Sequence, residues 1–442
     1  LDAIHTYQLK RKMMLENRWL FATAHLLTRS ETWKVTENSV FFPASVAILF
    51  ASLLTACSSN QMSDRSELPD HISQLENLTV YDPDIQPADT VVLTRETIFE
   101  SNEEVFMGGY IHHLAIDAKG YVYISSTRPG FVGIYVFNPD GSYVTSFSQH
   151  GRGPAEYESI SSMSIVGENL YLFDTRLQKI GIFSIDGFKH VRDLLIDQSQ
   201  LKENNVDYSQ GMIANKLIVR KDGSFLVRLK SRPRNDPSFQ HKEVYFKADE
   251  NGKLLPTPYI QVDSHTYYFP DEQLSLPFPG AFSRSSLVAV GNDGRFYTNW
   301  TEDFIIQMYN SDGEYEKAYK HQIQNANLNI DELNLDRNMT NALNKYELPD
   351  SWPALHTMEL DDEERLWVAT ITDSESEFSW WVLNKEGKVI ARFRKEGERS
   401  KRTVVQKPII TIKNGFFYSH DRDLRQGIDR IVKYRMEFVE AE

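Results

Sequence analysis

From about residue 90 onward one pattern recurs six times. A short apolar strand meets an Asn/Asp/Gly turn, then an aromatic-rich strand, a third strand, a second turn and a fourth strand. The first copy reads His113–Asp117, Ala118-Lys119-Gly120, Tyr121–Ser125, Gly133–Phe137, Asn138-Pro139-Asp140-Gly141 and Ser142–Phe147. The inner turn returns at Gly167-Glu168-Asn169, Lys221-Asp222-Gly223, Asn292-Asp293-Gly294, Asp362-Glu363-Glu364 and Asn414-Gly415. A matching strand follows each: LYLF, SFLV, RFYT, RLWV and FFYS. The outer turn returns at Asp186-Gly187, Glu250-Asn251-Gly252, Ser311-Asp312-Gly313 and Lys385-Glu386-Gly387. Tight hairpins need positive φ, which Gly, Asn and Asp tolerate. Four-stranded antiparallel units repeated around an axis make a β-propeller. The expected fold is therefore all-β, a six-bladed β-propeller with blades at about 110–150, 160–196, 213–262, 284–322, 354–396 and 407–440.

The sixth copy shows only three strands. Residues 90–99 (TVVLTRETIF) lie outside blade one, and they are expected to supply the missing strand. Closing the ring this way removes an open sheet edge that would invite aggregation. An open sandwich pair or a helical solenoid fits the strand-length runs and scarce helix signals less well.

The chain has 442 residues, of which 41% are hydrophobic and 12% aromatic, ample material for a core. Its net charge of −14 has the wrong sign for a protein that tracks phosphates, so no nucleic-acid partner is expected. The single cysteine, Cys57, excludes an intrachain disulfide and any metal site built from several thiolates.

The long apolar run, Phe41–Ala56, is short for a membrane span and suits the apolar region of an export signal. It ends in Leu54-Thr55-Ala56-Cys57, which resembles the bacterial lipobox. That resemblance implies acylation of Cys57 with diacylglycerol and cleavage just before it. The expected organisation has four parts. Residues 1–40 are an unassigned leader or an over-extended start, and 41–57 a lipoprotein signal segment. Residues 58–87, polar and aperiodic, are a flexible tether, and 88–442 the propeller.

The segment His150-Gly151-Arg152-Gly153-Pro154-Ala155-Glu156-Tyr157 joins blades one and two. It is similar to the Gly-x-Gly-Pro-Gly-Glu-Phe linker of bacterial six-bladed propellers related to NHL and TolB-like repeats. Pro353-Ala354-Leu355 and Leu360–Val368 also look like a blade start of that group. Ala155 replaces a glycine of the linker, and Glu364 replaces the turn glycine of blade five. The resemblance spans about residues 90–440 and implies a structural role for the linker.

Chemistry is harder to find. No Gly-x-Ser-x-Gly elbow, phosphate-cradling Gly-x-x-x-x-Gly-Lys-Ser/Thr loop or His-Glu-x-x-His pair occurs. His112 and His113 are adjacent in a strand and are expected to point to opposite faces, which separates them as metal ligands. Aligning the blades on their inner turns places His112, Ser161, Asn215, Ser286 and His356 near one mouth of the central channel. Loops on that face add Arg128, Asp174, Arg176, Arg232, Arg234, Trp300, Glu302 and Asp421. From these, His112, Arg128, Asp174, Arg176, Arg232, Trp300 and His356 are the candidate ligand-binding residues, a mixture suited to a polar sugar or peptide. Two insertions thicken the same side: 261–283, with Tyr267-Tyr268-Phe269, and 322–352, with Ile330, Leu333, Met339 and Leu343 at near-helical spacing. They read as lids or as caps.

The expected function is a binding or scaffold module at the bacterial cell envelope. It is held by its lipid anchor and faces the periplasm or cell surface, with an envelope protein, peptide or glycan as ligand. The alternative is a propeller enzyme, a metal-dependent lactonase or a glycan-active hydrolase or lyase. Such an enzyme needs convergent carboxylates or metal ligands, and among inner-strand acids only Glu359 stands clear of the turns. No catalytic residue and no cofactor are assigned, and a Ca²⁺ or Zn²⁺ ion in the channel belongs to the enzyme alternative.

Overall fold

The computed structural model describes residues 68–107, 110–128, 131–204, 211–232, 236, 239–269, 277–333, 335, 337–399, 408–423 and 428–441. Cys57, the apolar run before it, the first ten residues of the expected tether and Arg234 lie outside these residues.

Helix α1 (Asp70–Ser73) and strands β1 (Leu78–Tyr81) and β2 (Asp89–Phe99) precede the first blade. Blade 1 is β3 (Tyr110–Ile116), β4 (Val122–Arg128), β5 (Phe131–Phe137) and β6 (Tyr143–Phe147). Its connection to blade 2 carries β7 (Gln149–His150) and β8 (Glu156–Tyr157). Blade 2 is β9 (Ile160–Val166), β10 (Asn169–Asp174), β11 (Lys179–Ser184) and β12 (Lys189–Leu195), followed by α2 (Ser199–Glu203). Blade 3 is β13 (Met212–Val219), β14 (Phe225–Ser231), β15 (Lys242–Ala248) and β16 (Leu254–Asp263). Blade 4 is β17 (Ser286–Val290), β18 (Phe296–Trp300), β19 (Ile305–Tyr309) and β20 (Tyr315–His321), and α3 (Arg337–Leu343) follows it. Blade 5 is β21 (Leu355–Leu360), β22 (Leu366–Ile371), β23 (Glu377–Leu383) and β24 (Val389–Glu396). Blade 6 is β25 (Ile410–Lys413), β26 (Phe416–Asp423) and β27 (Ile428–Glu440), with β2 as its fourth strand.

Ring closure follows the expected route. β2 pairs antiparallel with β27 from Asp89↔Glu440 to Phe99↔Ile431. Asp89 also bridges to Ala391 of β24, so β2 ties blade 6 to blade 5 as well. The ends of the propeller are thus joined within one sheet.

The two departures from glycine keep the glycine conformation. Glu364 sits at φ 63° and Ala155 at φ 58°, both in the left-handed region where a side chain is strained. Glu364 gains a compensating contact, because its Oε1 accepts the Asn292 N–H of the blade 4 inner turn at 2.8 Å. Around the linker, Glu156 Oε2 accepts the Gly153 N–H at 2.8 Å, and Lys179 Nζ donates to the carbonyls of Gly153 and Glu156 at 3.0 and 2.6 Å. The linker is a clasp between blades 1 and 2.

One expectation is corrected. The second part of the 58–87 tether is built into the propeller: β1 adds to β20 as a fifth, parallel strand of blade 4. Ile72, Leu78 and Val80 bury themselves against Ile305 and Ala318, and Tyr81 stacks on His321 at 4.8 Å. Leu78 and Val80 on one side of the short strand, together with Ile72 of α1, drive the docking.

Apolar clusters fill the seams between successive blades. The seam between blades 3 and 4 has the smallest cluster: Leu226, Tyr245, Tyr259, Ile260 and Phe296. It is also the seam where the inner strands, β13 and β17, lack the close approach seen at the other five. Described residues of both long insertions pack into the core. Tyr268, Phe282, Leu333 and Leu343 share one buried cluster with Trp352, Trp367 and Trp380 of blade 5 and its approach.

Candidate functional site

The first strand of each blade begins, and the second ends, at the same end of the sheet. The loops between second and third strands therefore share one face with the connections between blades. At this face the inner strands are irregular in a repeated way. The ladder between first and second strands shifts by one residue at His112 in blade 1, Ser161 in blade 2, Asn215 in blade 3 and His356 in blade 5. Each is the extra residue of a β-bulge, a device that re-aims a side chain and is common near binding sites. Ser286 differs, pairing regularly with Trp300. Four of the five residues aligned at the mouth are thus bulge residues.

The bulge also corrects the view of the histidine pair. Strict alternation fails at His112, and the two rings stand 6.4 Å apart, centroid to centroid. His113 is within 3.2 Å of the Ile160 carbonyl, and burial pushes its pKa down to about 4, so it is neutral near neutrality. Burial also lowers the pKa of His112. Among the described residues, no three His, Cys, Asp or Glu side chains converge as a metal site.

The loop residues divide into those that hold the face together and those that project from it. Asp174 is fully buried, and its carboxylate accepts four backbone N–H groups. Glu158 and Ser159 reach one oxygen at 2.6 and 3.0 Å, Arg176 and Leu177 the other at 2.8 and 2.9 Å. Glu302 takes Arg284 in a fork at 2.6 and 3.1 Å, and Arg284 also donates to the Phe282 and Ser351 carbonyls. Asp421 receives Arg430 at 2.9 Å. His356 stacks on Phe378 at 4.3 Å. Arg176, Arg232 and Trp300 are exposed, whereas Arg128 closes β4 opposite Phe131.

Trp300 lines a cavity. A cleft of about 360 Å³ opens above the blade 3–4 seam, lined by Phe239, Gln240, His241, Lys242, Asp263, His265, Tyr267, Phe269 and Trp300. Its rings are mutually braced: Tyr267 lies 4.3 Å from His241 and 5.9 Å from His265, and Phe239 meets His241 edge-on at 4.8 Å. Lys242 and Asp263 form an ion pair across the adjoining strands β15 and β16. Burial raises the Tyr267 phenol, which therefore stays protonated and able to donate. The cleft offers flat aromatic faces, hydrogen-bonding tips and one charge pair in a small concave space.

Residues 101–419 match the family model DUF5128, described as a 6-bladed beta-propeller. The chain belongs to this family. The DUF5128 propeller is similar in fold to a member of the duf4221 family from Bacteroides vulgatus, with 10% identity, 80% of this chain and 100% of that chain covered, and a TM-score of 0.51. It also aligns with a protein from Bacteroides fragilis at 14% identity, covering 81% of this chain and 99% of that one, TM-score 0.44. A calcium-binding protein, regucalcin, from Agrobacterium tumefaciens aligns at 10% identity over 82% of this chain and 97% of its own, TM-score 0.39. No curated protein matches the sequence. Among the described residues no helix is long and apolar enough to cross a membrane.

Proposed function

We propose that this propeller is an exported, lipid-anchored binding module of the bacterial envelope whose ligand seats in the blade 3–4 cleft. The observation that carries the reading is the lining of that cleft: Phe239, Tyr267, Phe269 and Trp300 surround His241, His265 and an ion pair. Aromatic faces beside polar tips suit a ligand that is apolar on its flat sides and polar at its edges, such as a glycan ring or a peptide. Two loop acids on this face are already engaged, Asp174 by backbone amides and Glu302 by Arg284. This supports binding over catalysis.

The test is a glycan and peptide array probed with wild type and with a Trp300→Ala, Tyr267→Ala double variant. Loss of at least tenfold in affinity for the best wild-type ligand is expected, with the melting temperature little changed. Undiminished binding by the double variant would move the ligand site away from this cleft. For anchoring, the support is Cys57 at the end of Leu54-Thr55-Ala56. Metabolic labelling with a fatty acid is expected to mark the wild type and not Cys57→Ser, and labelling of both would end the lipoprotein reading.

A further inference from the structure

We infer that the seam between blades 4 and 5 holds a small monovalent anion of halide size, bound by the N–H groups of Arg392 and Trp381. The site shares no lining residue with the aromatic cleft and does not depend on it. Trp381 of β23 and Arg392 of β24 are directly opposite one another in the blade 5 ladder, so their side chains leave the same face. That face is turned to blade 4, where Trp381 joins Phe304 in a buried cluster. The Arg392 guanidinium lies over the indole, 3.5 Å from the ring centroid, as a cation on a π face does. A cavity of about 10 Å³ is lined by this pair, by His321 of β20, and by Tyr81, Asp82 and Ile85 at the end of β1 and just beyond it.

The polar groups of this lining are unequally served. The Tyr81 hydroxyl donates to the Glu386 carbonyl at 2.7 Å, and His321 Nε2 stands 2.9 Å from the Gly387 carbonyl. Arg392 Nε and Trp381 Nε1 are both buried, and neither has an acceptor among the described residues. Trp381 as a whole is only 8% exposed. A buried N–H without an acceptor is costly, and one on a charged group more so. Because the two donors belong to one stacked pair beside one cavity, a single acceptor at the edge of the stack can serve both.

Charge and size choose that acceptor. Arg392 and Lys388 bring two cations to the lining against one acid, Asp82. Asp82 Oδ1 accepts the Asp84 N–H at 2.8 Å, and among the described residues neither cation forms an ion pair. Burial pushes the His321 pKa down to about 4, so that ring adds no charge at neutral pH. The excess of positive charge favours an anion over a water molecule. The cavity has room for about one water, so a monatomic ion fits where sulfate, phosphate or a carboxylate does not. Lodged there, the ion ties the end of β1 to blade 5.

The purified full chain is titrated with sodium chloride, at ionic strength held constant with sodium gluconate, and binding is read from the ³⁵Cl line width. Saturable broadening is expected, reversed by bromide and not by sulfate. Trp381→Phe, which keeps a ring and deletes the N–H, and Arg392→Met are each expected to weaken binding at least tenfold. Wild-type crystals grown in sodium bromide and measured at the bromine absorption edge give a readout that needs no variant. An anomalous peak within hydrogen-bond reach of Arg392 Nε and Trp381 Nε1 is expected. Absence of saturation, undiminished binding by both variants, displacement by sulfate, or no anomalous peak at the pair would each overturn the assignment.

Discussion

A chain lacking residues 1–100 is expected to lose cooperative unfolding, whereas one lacking residues 1–87 is expected to retain it at a lower melting temperature. The longer deletion removes β2, and with it a ladder that runs from Asp89 to Phe99 against β27. It also removes Phe99, fully buried in the blade 6–1 core, and Val91, buried in the blade 5–6 core. Two seams are emptied and the long edge of β27 is bared, a recipe for aggregation. The shorter deletion takes α1 and β1, costing the burial of Ile72, Leu78 and Val80, about 2 kcal/mol for each side chain. Circular dichroism melts of both truncations check this. Matching transitions would show that β2 does not close the ring.

Asp174→Ala is expected to destabilise the propeller by about 4 kcal/mol, because four backbone N–H groups lose their acceptor at once. A domain of this size would then melt on the order of 10 °C lower. Asp174→Asn keeps one acceptor oxygen and is expected to fall between the two. The carboxylate joins the blade 1–2 linker to the blade 2 loop, so the damage should spread along that seam. A variant of normal stability that had lost ligand binding would instead mark Asp174 as a contact residue.

The blades were legible because turn chemistry is local. A glycine or asparagine at positive φ declares itself within four residues, and even Glu364 and Ala155 kept the conformation their positions imply. β1 was not legible, since its four residues pair in parallel with a strand some 240 positions later and no turn announces it. Aligning turns brought His112, Ser161, Asn215 and His356 to one level of their strands, but the bulges there are backbone events with no residue signature. Acids in loops were misleading. Asp174 was a candidate ligand contact and Glu302 a loop acid on the same face, yet an acid beside a turn is as readily an acceptor for backbone amides or a neighbouring arginine. The aromatic run at Tyr267-Tyr268-Phe269 was visible, with Tyr267 and Phe269 in the cleft and Tyr268 in the core. Its partners Phe239 and His241 sit in the β14–β15 loop of blade 3, where nothing in the local sequence links them to it.

The fifth strand of blade 4 gives the molecule a mechanical order of events. Tension applied from the N-terminal side reaches the four residue pairs of β1 and β20 before it reaches the longer ladder of β2 and β27. Shedding β1 would free the segment before β2 while the ring stays closed. The propeller thus carries a breakaway link ahead of its seal, and a moderate pull would be absorbed at the rim of blade 4 with the closed ring intact.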